Sequence, residues 1–306
     1  MAKQKEFGTN SNYKMNNNLS ICIPTYKRVE YLIKLVNSIP EKYPVCISDN
    51  GNYVDESIFK RGNIKFMHID NVVSMFSNWN NAISMVETDW FIMPGDDDIL
   101  LIDVLEMVES YIMKHNNCAF LAFGYNNVDD NDISSIKWLP DSEKELEPLA
   151  SFDAIKYGAP FSWPAIVVNT EKSRSIGNFD EDFEYTASDN LYLQTLALKY
   201  PIALIDKVLG ENRVWKNSTA CKTIATKGWF EQLKLWQDKI CIVLKNKEID
   251  TYNPKEICDN ITYNNLIAAL GNIRSIKERI RFIGDIGWPK RISFNKKLKL
   301  IKKIIL

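Results

Sequence analysis

Between residues 19 and 123 the chain alternates short, almost wholly apolar runs with segments whose apolar residues recur every three or four positions. Leu19-Ser20-Ile21-Cys22-Ile23, Pro44-Val45-Cys46-Ile47-Ser48, Ile64 to Ile69, Trp90 to Met93 and Cys118 to Phe123 read as buried strands. Between them, Leu32, Leu35, Val36 and Ile39 have helical spacing, as do Met75, Trp79, Ala82, Ile83 and Val86. Leu101, Val104, Leu105, Val108 and Ile112 mark a third helix. Strands with no polar face must be covered on both sides, and parallel strands need a crossover between them. This order therefore predicts an α/β fold, a mainly parallel sheet flanked by helices.

Such sheets bind ligands beyond the carboxyl ends of their strands. The distinctive polar residues fall there: Pro24-Thr25-Tyr26 after the first strand, Asp49 after the second, and Asp96-Asp97-Asp98 after the fourth. Three adjacent carboxylates repel one another, and a hard divalent cation shared with a phosphate is the strongest reason to gather them. A helix start is the rival explanation, because acidic groups in a first turn interact favourably with the helix dipole, at about 0.3–1 kcal/mol each.

With 306 residues, 45% apolar and 25% charged, the chain has the composition of a globular protein with a sizeable core. A net charge of -1 gives no global attraction to nucleic acid or to an anionic membrane. The six cysteines are widely spaced and form no Cys-x-x-Cys pair, and residues 1–18 show no apolar leader, so a reducing cytoplasm is expected. Only His68 and His115 are present, which argues against a His-based zinc enzyme or a Ser-His-Asp triad. No apolar run reaches membrane-spanning length.

Residues 1–17 read as a flexible tail, 18–125 as the first half of the α/β domain and 126–221 as its second half. Residues 126–150 read as an irregular acidic loop with a solvated face. Strands are expected near Ala165–Val168 and Ile202–Ile205, around a helix at 189–199, and residues 222–306 form a helical region.

Ile21-Cys22-Ile23-Pro24-Thr25-Tyr26-Lys27-Arg28 resembles the opening "IIIPTYNR" strand and loop of family 2, GT-A-type inverting glycosyltransferases. The resemblance continues through Ser48-Asp49-Asn50-Gly51, Asn78-Trp79-Asn80 and Gly95-Asp96-Asp97-Asp98-Ile99-Leu100. Ile176-Gly177-Asn178-Phe179-Asp180 and Ser188-Asp189-Asn190 extend it, so it covers residues 19 to 215. It implies a Rossmann-like GT-A domain that uses a nucleotide sugar, a UDP-sugar above all, with Mn²⁺ or Mg²⁺. The first half would bind the donor and the second the acceptor.

On that resemblance, Asp96 and Asp98 hold the metal and Asp97 lies near the ribose. Pro24, Thr25 and Tyr26 line the base and ribose pocket, Arg28 reaches the pyrophosphate and Asp49 accepts from the uracil imide. Thr25 also reads as a helix cap, Arg28 as a solvated cation, and Asp-Asn-Gly as a turn whatever the function. Asn78 belongs to the donor side, where with Asn80 it orders the loop beneath the nucleotide, and Trp79 reads as core. Arg213 and Lys216 stand where the family places a diphosphate-clamping segment, although surface charge accounts for them equally.

Asp189 matches the family's catalytic aspartate, with Asp180, Glu181 and Asp182 as rival bases and helix capping as the alternative. Ser188 replaces the Glu usually found before that aspartate, which puts the acceptor contacts in doubt. Trp163 offers an aromatic face to an acceptor sugar, or packs in the core.

Pro289–Leu306 carries seven basic residues and no acid, and Leu298, Ile301 and Ile305 share a helix face. A basic amphipathic helix suits an anionic membrane surface, and a packed terminal helix with a solvated basic side is the alternative. The Gln-x-x-Arg-Trp signature of polymer-extruding relatives is missing, so transfer of one sugar to a glycan or lipid-linked acceptor in bacterial surface polysaccharide synthesis is expected. Two rivals are a non-catalytic sugar- or nucleotide-binding scaffold and a sugar-nucleotide pyrophosphorylase, which would want a Gly-rich loop after the first strand. Nucleic acid is not an expected partner.

Overall fold

The computed structural model describes residues 18–215 and 218–306; the expected tail at 1–17 lies outside them. The chain forms β1 (Leu19–Thr25), α1 (Val29–Ser38), β2 (Val45–Asn50), β3 (Ile64–Ile69), α2 (Met75–Ser84), β4 (Trp90–Ile92) and β5 (Ile99–Leu100). It continues with α3 (Ile102–Leu105), α4 (Val108–Lys114), β6 (Phe120–Val128), β7 (Ser134–Trp138), β8 (Lys144–Leu146), α5 (Pro148–Ile155) and β9 (Ile166–Asn169). After α6 (Thr170–Arg174), α7 (Ser188–Ala197) and β10 (Ile202–Arg213) come five helices: α8 (Thr219–Thr223), α9 (Lys227–Asn246), α10 (Pro254–Asn272), α11 (Ile276–Ile286) and α12 (Phe294–Ile305).

One sheet runs in the order β3-β2-β1-β4-β9-β6-β10-β5, with β7 added to β6 and β8 to β10. The first four strands in that order are parallel, whereas β9 runs antiparallel to both neighbours and β10 returns parallel to β6. The mainly parallel sheet thus holds for the first half and becomes mixed in the second.

The apolar runs of β1, β2, β4 and the start of β6 are continuous because those strands are buried on both faces. Leu19, Ile21, Ile23, Val45, Ile47, Trp90 and Ile92 point to a core closed by Leu32, Leu35 and Val36 of α1 and by Leu105, Val108 and Ile112. Their strand neighbours Cys22, Cys46, Phe91, Phe120 and Ala122 point to the opposite core. That core is closed by Phe76, Ala82 and Ile83 of α2, Leu193 and Leu196 of α7, Trp236 of α9 and Leu300 of α12. The C-terminal helices are therefore one cover of the sheet, continuous with its core. All six thiols are free.

Several expected boundaries shift. The third helix is two short ones, broken at Met107. The region 126–150, expected to be irregular, contains the end of β6, all of β7 and β8 and the start of α5. The strand near 202–205 extends to Arg213.

Candidate active site

The loops after β1, β2 and β4 meet the end of β10 at one edge of the sheet. Asp96 is buried and fully engaged. Its carboxylate accepts from Thr25 Oγ1 at 2.8 Å, from the Tyr26 N–H at 3.3 Å and from Arg28 Nη1 at 2.9 Å. Burial pushes the Asp96 carboxyl up to about 6 despite the Arg28 charge. The same Arg28 nitrogen lies 2.9 Å from Asp97 Oδ1. Arg28 also stacks its guanidinium on Trp215, 5.2 Å from the ring centre.

Asp98 accepts the Gly95 N–H at 2.8 Å and the Arg213 N–H at 3.3 Å. Burial, with Asp97 adding to it, pushes this carboxyl up to about 8. Arg213 donates through Nε to the Asp97 carbonyl at 3.2 Å and through Nη1 to Asp132 at 2.9 Å. Asp97 Oδ1 and Asp98 Oδ2 each lie 3.1 Å from the point where a Cβ on Gly95 would stand.

Hard oxygen donors that converge over a glycine fit a divalent cation shared with a diphosphate. The pair brought together is Asp97 and Asp98. Asp96, expected to bind metal with Asp98, accepts from three donors that hold the β1–α1 loop, and Asp98 is itself held by the Gly95 and Arg213 N–H groups. Lys27 in that loop has φ 63°, a left-handed conformation that side-chain-bearing residues adopt at a penalty. This strained residue sits between Tyr26 and Arg28.

On the base side, Asp49 is fully buried at the end of β2. Its Oδ2 accepts the Val54 N–H at 2.7 Å and faces His68 Nδ1 at 3.4 Å. Oδ1 has no partner among the described residues. Asn78 accepts from Ser48 Oγ at 2.7 Å and donates to the Thr25 carbonyl at 3.3 Å, so it laces β2 to β1. Pro24 is buried in β1, paired with Ser48. Tyr26 stays exposed and meets Tyr53 edge-on at 5.7 Å, with Lys27 Nζ over both rings. Lys216 lies outside the described residues, while Arg213 and Trp215 join Tyr31 and Lys34 around a recess of about 140 Å³.

On the other side, Asp189 follows Ser188 in the first turn of α7, and Ala187 before them has φ 74°. One Asp189 oxygen accepts from the Asn190 backbone and side chain at 2.8 and 3.2 Å. Burial raises its pKa, and the Trp163 side chain is among the groups that lower it. The rival acids are all spoken for. Asp180 and Asp182 pair with Lys239 at 2.5 and 2.6 Å, and Glu181 accepts from Ser77 and Asn80 at 2.7 Å each. Ser188, expected on the acceptor side, is fully buried and donates to the Asp180 carbonyl at 2.9 Å, so it fastens the loop below.

Trp163 is half-buried amid Trp79, Phe179 and Tyr192. Next to it, Pro164 presses on β10: a Cβ at Gly210 would lie 2.6 Å from the Pro164 carbonyl oxygen. Because Gly210 pairs with Leu100, two residues after Asp98, this contact ties the Trp163–Asp189 corner to the carboxylates. Tyr53 and Gly210 border the site but were not named from the sequence. Gly95 was legible in the Pro-Gly-Asp-Asp-Asp run, whereas Gly210 has no local signal.

Residues 20–166 match the profile of the family described as Glycosyl transferase family 2. A 107-residue stretch is 36% identical to the abequosyltransferase RfbV of Salmonella typhimurium (strain LT2), covering 31% of this chain. The chain thus spans only about a third (32%) of the relative it matches. Among solved structures, residues 1–349 of S. aureus TarS in complex with UDP-GlcNAc align with a TM-score of 0.64 at 15% identity, over 88% of this chain and 80% of that one. The same fragment with UDP gives 0.62 at 16% identity, over the same shares of the two chains. At such identities the likeness is one of fold, and it is the GT-A arrangement.

Proposed function

We propose that this chain, which carries a glycosyl transferase family 2 domain over residues 20–166, is an inverting glycosyltransferase. It moves one sugar from a nucleotide sugar, a UDP-sugar in this reading, to a hydroxyl of a glycan or lipid-linked acceptor of a bacterial surface polysaccharide. The observation that carries the proposal is the convergence of Asp97 and Asp98 over Gly95 between Arg28 and Arg213. Such a site suits a diphosphate on which negative charge grows as the sugar–phosphate bond breaks. The TarS complexes with UDP and UDP-GlcNAc support the choice of uridine.

Asp97 and Asp98 would hold Mn²⁺ or Mg²⁺, which when bound supplies Lewis-acid stabilisation of the leaving diphosphate. Arg28 and Arg213 add fixed positive charge on either side of the carboxylates. Asp49 Oδ1 accepts from the base, and Tyr26 with Tyr53 covers the base or ribose. Asp189 takes the proton of the acceptor hydroxyl as its oxygen attacks the anomeric carbon. Lys239 holds Asp180 and Asp182, and Ser77 and Asn80 hold Glu181, whereas burial has raised the proton affinity of Asp189, which makes it a stronger base. Trp163 beside it offers the acceptor sugar an apolar face.

No helix among the described residues is long and apolar enough to cross a membrane. Phe294, Leu298, Ile301 and Ile305 of α12 are nevertheless exposed, while Leu300 and Ile304 of the same helix pack inward. Lys299 and Lys302 are exposed beside that outer stripe. This second apolar face supports docking on an anionic lipid surface, where each basic residue contributes about 1 kcal/mol. Replacing Phe294, Leu298 and Ile301 together by Ser leaves the packed face intact; unchanged sedimentation with anionic vesicles would exclude the docking.

The activity is tested by incubating the protein with a panel of nucleotide sugars, Mn²⁺ and lipid-linked glycan acceptors. The expected result is release of UDP with a product of inverted anomeric configuration, abolished by EDTA and restored by Mn²⁺. Nucleotide binding without turnover on any acceptor would favour the scaffold reading.

A further inference from the structure

A second polar cluster lies at the opposite end of β6 from the candidate active site. His115 closes α4, and the chain turns tightly so that the Cys118 N–H donates to the His115 carbonyl at 3.0 Å before β6 begins. The strand β8, paired with β10 through Glu145 and Ala203, delivers Glu143 and Glu145 to the same place. His115 Nδ1 lies 2.9 Å from Glu145 Oε2, and Nε2 lies 2.6 Å from Glu143 Oε1. One ligand atom each from His115, Cys118 and Glu145 lies within 4.8 Å of the other two.

We propose that His115 Nδ1, Cys118 Sγ and the Glu145 carboxylate bind one zinc ion, with Glu143 receiving the other ring N–H. Nitrogen, sulfur and oxygen donors together are a zinc set, unlike the all-oxygen carboxylates at the other end of the sheet. Tetrahedral bonds of about 2.0–2.3 Å place ligand atoms roughly 3.5 Å apart, so each atom here moves by about an ångström or less. The Glu143–His115 contact already has the carboxylate–histidine form that fixes the tautomer and presents Nδ1. Charge also balances: a thiolate and one carboxylate neutralise Zn²⁺, and Lys114 pairs with Glu143 at 2.7 Å. Without a cation the thiol is held protonated, since burial, with Glu145 beside it, pushes Cys118 up to about 12. Binding therefore breaks the S–H bond, forms the Zn–S bond and releases the proton to solvent. The ion would pin β8, and with it the acidic segment 126–150, to the α4–β6 junction.

The test uses untagged, chelator-treated full-length protein titrated with Zn²⁺ against a chromophoric chelator, and with Co²⁺ as the spectroscopic probe. The expected result is one equivalent bound with a near-ultraviolet thiolate-to-cobalt band. Cys118→Ser should abolish the band, and Glu143→Gln should keep it while weakening affinity about 10- to 100-fold. Glu145→Gln, at a partly exposed position, guards against an unfolded Cys118 variant and should weaken binding likewise. A Cys241→Ser/Cys258→Ser variant should keep the band, because that neighbouring thiol pair, with sulfurs 3.7 Å apart, is not the site. Absence of the band in the wild type, its survival in Cys118→Ser, or its loss with Cys241 and Cys258 would each overturn the proposal. A cluster held only by protons and ion pairs gives the first of these outcomes.

Discussion

Asp49→Asn changes one atom of a fully buried side chain, and the surroundings dictate which one. The Val54 N–H, 2.7 Å from Oδ2, needs an acceptor, so the asparagine oxygen must stay on that side. The amide NH₂ is then forced into the place of Oδ1, the oxygen without a partner among the described residues. An acceptor for the base becomes a donor at almost constant volume. A uracil imide N–H that meets it loses a hydrogen bond to a charged group and faces a second donor, about 2–3 kcal/mol in all. That corresponds to a roughly 30- to 150-fold weaker Kd for UDP.

Titration calorimetry with UDP and CDP on both proteins measures the effect. N3-methyl-UDP on the wild type provides an arm that does not depend on the variant folding. UDP should weaken, CDP should lose less, and the methylated nucleotide should bind the wild type as poorly as UDP binds the variant. A variant that keeps its UDP affinity within about twofold, or wild-type protein indifferent to N3 methylation, would falsify the assignment of Asp49 to the base.

Further outcomes follow from the geometry. Asp189→Ala should lower kcat by about 10²–10⁴-fold with little change in UDP affinity, while Asp180→Ala should retain turnover; steady-state kinetics beside calorimetry separates them. Because burial raises the Asp189 pKa and the base must be ionised, kcat should fall, as pH drops, at a higher pH than an ordinary carboxylate gives. The same shift contributes stability fully present below the unfolded value and lost as pH rises through the folded one. Lys27→Asn should stabilise the fold by about 0.5–1 kcal/mol in urea, since relief of about 1–2 kcal/mol of left-handed strain exceeds the loss of an exposed cation–ring contact. A lower midpoint would contradict that ordering of the two effects. Gly210→Ala drives a methyl against the Pro164 backbone and should cost about 1–3 kcal/mol in the same assay; an unchanged midpoint would show that the corner yields.

The first half of the sheet was legible because β1, β2 and β4, buried on both faces, leave uninterrupted apolar runs, and even the half-buried edge strand Ile64–Ile69 begins and ends where the pattern predicts. The segment β7 gave no such signal: Ser134 to Lys137 are all exposed, so no burial alternation was written into them. The strand β10 was read short because the exposed pair Asp206-Lys207 interrupts it at a register shift. In the candidate site the strand-end positions were readable, but the register of the aspartates was not. Thr25, Tyr26 and Arg28 reach Asp96 from 68 to 71 residues away, a contact that local spacing cannot report. The partner of Ser188, the Asp180 carbonyl eight residues away, was likewise beyond what its neighbours in sequence report.

The Arg28 bridge across Asp96 and Asp97 has a consequence for the order of events in a catalytic cycle. In the free protein the guanidinium is the counterion of these two carboxylates, so a cation arriving alone must compete with it for Asp97. A diphosphate arriving alone must compete with Asp96 and Asp97 for Arg28. When the two arrive as a chelate, Arg28 can exchange its carboxylate for a phosphate oxygen while Asp97 exchanges its arginine for the metal, and no charge is stranded at any stage. Saturation by cation should therefore depend on nucleotide, and saturation by nucleotide on cation, with each tightening the other by the same factor.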